Sequence, residues 1–282
     1  MSPWAYTATI PATICRMSNS FGESCDVFSK SPIVEDWIVP DWPAPARVQS
    51  LITTRLGGVS AAPYASFNLA AHVGDDPLAV AANRWQLSRQ LPSSPCWLNQ
   101  VHGTMVVDVG AVRLQLPSAD GALARTVATV CVVMTADCLP VLLCDESASV
   151  VAAAHAGWRG LHAGILENTV AAMRVPGNRL LAYLGPAIGP QVFEVGDEVR
   201  AAFVDAHAEA AAAFTAIARK VDGSGGWLAD IYLLARQRLA RLGVKRIFGG
   251  GHCTLSEARR FFSFRRDGVT GRMASLIWLS AA

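Results

Sequence analysis

The feature that most restricts this chain is the apolar stretch at residues 127–144, the longest in its 282 residues, which is broken by Asp137 and Pro140. A membrane-spanning helix needs about 20 consecutive apolar residues, so this run cannot be one. Its two halves, 127–135 and 139–144, are rich in β-branched and aliphatic residues and short enough to be buried strands, with a turn between them. A third strand of the same kind is expected over 149–154. After it, Ile165, Leu166, Val170 and Met173 share a stripe at helical spacing, which predicts a helix over 160–173.

Other elements follow from local chemistry. Asp75, Asp76 and Pro77 supply a helix N-cap and a first-turn proline, and Leu78, Ala81, Ala82 and Trp85 then fall on one face, expected to be the buried one. Leu228, Ile231, Ala235, Leu239 and Leu242 predict another helix, stopped at Gly243. The C-terminus reads as a hairpin of 261–266 and 272–279 around a turn at Asp267 and Gly268. Strands and helices mix without strict alternation, so the expected class is α/β, a compact mixed-sheet sandwich rather than a doubly wound sheet. Residues 1–35 show no sustained period and are expected to be a poorly ordered extension. One domain is expected over 36–282.

Composition narrows the function. A hydrophobic content of 52% can fill a sizeable core, and 24 basic against 22 acidic residues give a net charge of +2. That balance carries no electrostatic footprint for nucleic acid or an anionic membrane. Neither a basic n-region nor an apolar h-region precedes Glu23, so the expected compartment is the cytoplasm. Seven cysteines are an odd number in a chain too large to need stapling, which fits reduced thiols.

Three residues have settings suited to chemistry. His102 ends a short apolar run before Gly103; alone, such a histidine is more often structural. Cys138 sits at the polar pinch between the two apolar strands, unlike Cys131 and Cys144, which read as core fillers. Asp137 beside it opposes thiolate formation unless a cation is present, which favours a metal ligand over a bare nucleophile. His155 closes a strand before a glycine-hinged loop, at the sheet edge where ligands commonly bind, although a loop histidine bonded to backbone fits equally. His162 is a weaker candidate, and His72, His207 and His252 lack a comparable setting. Two histidines and a cysteine suit a catalytic zinc with its fourth position open, but their spacing resembles no structural zinc finger.

Six strings then carry a resemblance: LNQVHG at 98–103, TADCLP at 135–140, HAGWRG at 155–160, GPAIGP at 185–190 with FEVG at 193–196, and FFSFRRDG at 261–268. In this order they resemble the YfiH family, also called laccase-domain or polyphenol oxidase proteins, which includes the peptidoglycan editing factor. The resemblance covers about residues 36–279. It implies α, β, β, α layers and a metal held by His102, Cys138 and His155, with Zn2+ expected and Cu2+ associated with phenol oxidation. It implies phosphorolysis of adenosine, inosine and methylthioadenosine, with adenosine deamination alongside, so the expected partners are purine nucleosides and phosphate and the expected state is a monomer. Arg55 and Asn68 match motifs of the pocket wall, and Arg159 and Arg265 match two further positions; the arginines are candidate phosphate contacts. At Phe264 relatives more often have tyrosine.

Alternatives use the same residues. A multicopper oxidase needs many histidines, and this chain has six with no H-x-H pair. A metal-free hydrolase would use Cys138 as nucleophile and His155 as base on peptidoglycan precursors. The P-C-x-x-C half of the zinc nucleobase deaminase signature is absent, which leaves the one H-x-E triplet, at His207 and Glu209, without its partner, so any deamination would be built differently. Trp158 suits either stacking on a purine or packing in its loop. A non-enzymatic binding module explains a pocket but not the placement of two histidines around a pinched cysteine.

Overall fold

The computed structural model describes residues 36–111, 116–218 and 226–281; the extension expected at 1–35 lies outside them. Along the first half run β1 (Val48–Ile52), α1 (Pro77–Ser88), β2 (Val106–Asp108), β3 (Gly121–Ala124), β4 (Cys131–Thr135), β5 (Leu139–Asp145) and β6 (Val151–Ala156). The second half holds α2 (Trp158–Ala163), α3 (Ile165–Met173), β7 (Leu180–Leu184), β8 (Glu194–Val195), α4 (Asp197–Ala206), β9 (Phe214–Ala216), β10 (Trp227–Ala229), α5 (Ile231–Arg241), β11 (Arg246–Gly249), α6 (Phe264–Asp267) and β12 (Met273–Leu279).

The two halves of the apolar run do form strands, but in different sheets. β4 joins an antiparallel sheet of order β1-β12-β4, whereas β5 is central in a mixed sheet of order β11-β7-β5-β6-β3-β2. Both strands are buried along their whole length, which is why they read as unbroken hydrophobic runs rather than alternating ones. Alternation is still present, between two cores. Val141 and Leu143 face the helices α2, α3 and α5, and Leu142 and Cys144 face the smaller sheet. On β4, Cys131 and Val133 point at the larger sheet, while Val132 and Met134 point the other way, toward Phe67, Leu69 and Leu87 of α1 and the segment before it. The layers are therefore α, β, β, α, as the α/β sandwich expectation had it.

Three local expectations are corrected. α1 starts where expected, with the Asp76 side chain accepting from the Leu78 N–H at 2.9 Å, but its buried face is Val80, Asn83 and Leu87. Leu78 is 79% and Trp85 63% exposed. Asn83 decides the rotation: its amide donates to Ser60 Oγ and to the carbonyls of Ser66 and Asn68, and accepts from the Val59 N–H. The helix expected over 160–173 is two helices, because Gly164 adopts φ of 105°, a conformation open to glycine at little cost. The C-terminal hairpin does not form. Ser263 caps the short α6, accepting from the Arg266 N–H at 3.2 Å, and β12 pairs instead with β1 and β4. α5 forms as expected except that Leu228 belongs to β10, with Asp230 as the N-cap.

Candidate metal and substrate site

The passage from β4 to β5 crosses from one sheet to the other, and this crossing carries Ala136, Asp137 and Cys138 to the rim of the sandwich. Asp137 sits at φ of 93° and its carboxylate is fully engaged, accepting from Thr254 Oγ1 at 2.6 Å and from the Arg265 N–H at 2.7 Å. Its role is to fasten the corner to the C-terminal loops. The groups that act on the Cys138 thiol are instead the two histidines, on the neighbouring strand and loop. His155 lies in β6 opposite Pro140, and His102 lies on the loop before β2 at φ of 59°. One ligand atom from each of His102, Cys138 and His155 falls within 4.8 Å of the others, with Cys138 Sγ 3.8 Å from His102 Nε2. Gly157 makes this approach possible: a Cβ there would meet Cys138 Sγ at 2.9 Å and His102 Cδ2 at 3.0 Å.

Asp120, which no motif singled out, organises the trio. Its fully buried carboxylate accepts the backbone N–H groups of Val101, His102 and Gly103 at 3.2, 2.9 and 2.7 Å and lies 2.8 Å from His155 Nδ1. One side chain thus fixes the His102 loop in its left-handed conformation and orients the His155 ring, leaving His155 Nε2 for the cavity. Burial would raise the Asp120 carboxyl, but the hydrogen bonds from His155 and the backbone outweigh it and hold it below the ordinary range.

Burial would also raise the Cys138 thiol; the charge of His155 and the hydrogen bonds from both imidazoles reverse this and lower it. Correspondingly, burial opposes protonation of His155, and Cys138 and Asp120 raise it. Both shifts favour the thiolate–imidazolium form of the pair. By contrast, burial pushes the Cys144 thiol up to about 12, and Cys131 higher still, so both behave as core fillers.

The donor set fits a metal ion. Zinc bonds of 2.0–2.3 Å at a tetrahedral centre put N and S ligands roughly 3.5 Å apart, close to the separation of His102 Nε2 and Cys138 Sγ. The Asp120 contact to Nδ1 of His155 is the carboxylate–histidine support that metal-binding imidazoles usually have. It is the one such group of His, Cys, Asp or Glu among the described residues.

A cavity of about 410 Å³ opens over the trio, within the roughly 300–1,000 Å³ range of small-molecule sites. Arg159 and Arg265 line it, and so do Trp158, Phe193 and Phe264. Arg159 stacks on Trp158 at 4.5 Å, and Arg265 lies over Phe193 and donates to the Glu194 carbonyl at 2.8 Å. Phe264 is 58% exposed. Arg55 and Asn68 are not part of the wall. The Arg55 guanidinium donates to the carbonyls of Ala65 and Ala258 and packs over Phe262, so it staples loops together. Asn68 is fully buried behind the cavity, where its Oδ1 accepts from the N–H groups of Ala70 and Arg272. His72, set aside in the sequence, and Arg272, not singled out there, do line it. No string around either one looks unusual; only the fold brings them in.

Known proteins agree with this architecture. The profile described as multi-copper polyphenol oxidoreductase laccase matches residues 49–280. A Pseudomonas aeruginosa protein named purine nucleoside phosphorylase is 56% identical over 243 residues, covering 86% of this chain and 98% of its own length. The Escherichia coli protein named purine nucleoside phosphorylase YfiH is 54% identical over 244 residues, with the same shares covered. Among solved structures, a Neisseria meningitidis protein matches with a TM-score of 0.82 at 53% identity, over 88% of this chain and all of its own. YlmD from Geobacillus stearothermophilus matches with a TM-score of 0.76 at 30% identity, over 89% and 98%. Motifs, layers and profile coincide over almost the same residues, and the chain belongs to the multi-copper polyphenol oxidoreductase laccase family, whose relatives include the proteins named YfiH.

Proposed function

We propose that this protein is a purine nucleoside phosphorylase, converting adenosine, inosine or methylthioadenosine and phosphate to the free base and the corresponding ribose 1-phosphate, and that it also deaminates adenosine. The observation that carries the reading is a single cavity that gathers an organised His102–Cys138–His155 trio, guanidinium groups and an aromatic wall. The names of the relatives from P. aeruginosa and E. coli support it. Residues 36–282 are proposed as the catalytic domain.

In this reading the purine lies against Trp158, Phe193 and Phe264, whose rings bury an aromatic base without demanding a particular pattern of its polar atoms. Arginine side chains hold the phosphate by charge-assisted, bidentate hydrogen bonds. A phosphate oxygen forms the bond to C1′ as the C1′–N9 bond breaks; the bonding pair leaves on the purine, which takes up the proton that hydrogen phosphate gives up. His102, Cys138 and His155 would hold a metal, zinc or copper, with Asp120 keeping His155 in the required tautomer. Such an ion, when bound, supplies a Lewis acid and a water of pKa near 7, which is the nucleophile that deamination needs. The thiolate–imidazolium pair also suits a second reading, a metal-free hydrolase with Cys138 as nucleophile acting on peptidoglycan precursors.

The test is to assay metal in the purified protein and follow adenosine and inosine by chromatography with and without phosphate. Phosphate-dependent release of base, abolished in Cys138→Ala and His155→Ala, is the expected result. Full turnover by metal-stripped protein removes the metal from the proposal and promotes the hydrolase, and phenol oxidation confined to copper-loaded protein marks the oxidase activity as incidental.

A further inference from the structure

Arg272 stands at the start of β12, beside the point where β4 ends, since Met273 pairs with Thr135. Its position is fixed from behind: the backbone N–H donates to Asn68 Oδ1 at 3.0 Å, and Nη1 donates to the carbonyls of Thr270 and Gly271 at 2.8 and 3.0 Å. Those bonds consume one corner of the guanidinium only. Nε and Nη2, which form its flat side-on edge, have no hydrogen-bond partner among the described residues. Among the described residues no carboxylate forms an ion pair with it, and the nearby Asp137 turns its oxygens to Thr254 and the Arg265 backbone. Arg272 is half-buried and burial lowers its pKa, with Cys138 and Asp137 acting the other way through space. A partly desolvated cation with a free two-donor edge is an arrangement that an anion completes.

The other cationic groups of the cavity are differently disposed. Arg159 and Arg265 are exposed and lie over the rings of Trp158 and Phe193, whereas Arg272, over the more distant Phe264 ring at 5.9 Å, is half-buried. His72 lies on the Arg272 side: burial first, and then the charges of Arg272 and Arg84, lower its pKa. Gln100 lines the same side, but its amide is spent on both backbone groups of Met134, at 2.8 and 2.7 Å, so it shapes the wall and leaves recognition to its neighbours.

Building on the phosphorylase reading above, we infer that the side-on edge of Arg272, with His72 beside it, is the inorganic phosphate subsite of this cavity, and that Arg159 and Arg265 belong to the aromatic side that receives the nucleoside. Asn68 is then a positioning residue, acting through the Arg272 backbone.

The experiment compares wild type, Arg272→Gln and Arg272→Lys as full-length holoenzymes. Two quantities are read: the dissociation constant of inorganic phosphate by titration calorimetry, and the separate KM values for phosphate and inosine. Loss of a charged two-point contact is expected to weaken phosphate by about 10- to 100-fold in both measures, with the KM for inosine moved by less than about twofold. Lysine restores a point charge but not the fork, so its phosphate affinity falls between wild type and glutamine, and it serves if the glutamine variant does not fold. Unchanged phosphate affinity in a folded Arg272→Gln protein overturns the assignment while leaving the phosphorylase reading intact. Phosphate binding that needs Arg272, without any phosphate-dependent release of base by wild type, supports the subsite and overturns that reading.

Discussion

Asp120 shows how much of a site can rest on a residue that never touches the ligand. Four donors converge on one buried carboxylate, three from consecutive backbone amides and one from His155, so a single side chain sets the relative placement of two proposed metal ligands. Asparagine in its place keeps the size but presents an N–H2 group to at least one of those donors. Asp120→Asn is therefore expected to lower metal affinity by about 10- to 100-fold, read by competition with a chromophoric chelator, while the far-ultraviolet circular dichroism stays native. Unaltered affinity would mean that the trio is held by the fold without this carboxylate. At the same scale the sequence was a partial guide. The motifs put His102, Cys138 and His155 together, but Asp137, adjacent to Cys138 in sequence, turns its charge toward Thr254 and the Arg265 backbone. Neighbouring in sequence did not mean facing in space, because a strand-to-strand corner sends successive side chains in different directions.

Among the elements, the turn joining β5 to β6 is built on Asp145. Its buried carboxylate accepts from the backbone N–H groups of Ser147, Ser149 and Val150 and from Ser149 Oγ. Burial would raise its pKa, yet the bonds from Val150, Ser149 and Ser147 prevail and lower it. A depressed folded-state pKa means that the unfolded chain takes up the proton first, so the stabilisation is present above the ordinary carboxylate value of about 4 and is lost as the pH falls through the folded-state value. Asp145→Asn is expected to cost about 1–3 kcal/mol at pH 7 and to show a shallower loss of stability between about pH 5 and pH 3 than wild type, measured by urea unfolding at each pH. Equal pH slopes for the two proteins would remove Asp145 from the acid response. The helices teach a related lesson about what local pattern can reveal. The cap at Asp76 was readable because capping depends on one side chain and the amides next to it. The buried face of α1 was not, since the four hydrogen bonds of Asn83 outweigh the burial of Trp85 and depend on loop atoms around Ser60 and Ser66.

For the whole molecule, the space between the two sheets is the shared core on which both depend. Leu142 is fully buried there, with Val133, Ile277 and Ala153 in the same cluster. Leu142→Ala is expected to destabilise the protein by about 2–5 kcal/mol, lowering the melting temperature by several degrees, with both sheets lost in one transition by near- and far-ultraviolet circular dichroism. Separate transitions would show that the sheets are stable independently. No described helix is long and apolar enough to cross a membrane.

The sequence by itself determined several of the buried strands and helices, the start of α1, the α/β class and the identity of the three clustered side chains. Each of these depends on periodicity, on capping or on strings of contiguous residues. Only the tertiary structure decided that β4 and β5 part into different sheets, that β12 pairs with β1 and β4 rather than with 261–266, and that the α1 stripe faces outward. It also decided which cations enter the cavity, bringing in Arg272 and leaving Arg55 outside it. The physical reason is common to all of these. A side chain's surroundings are set by long-range pairing and by which buried polar groups find partners, and no window of sequence contains those partners.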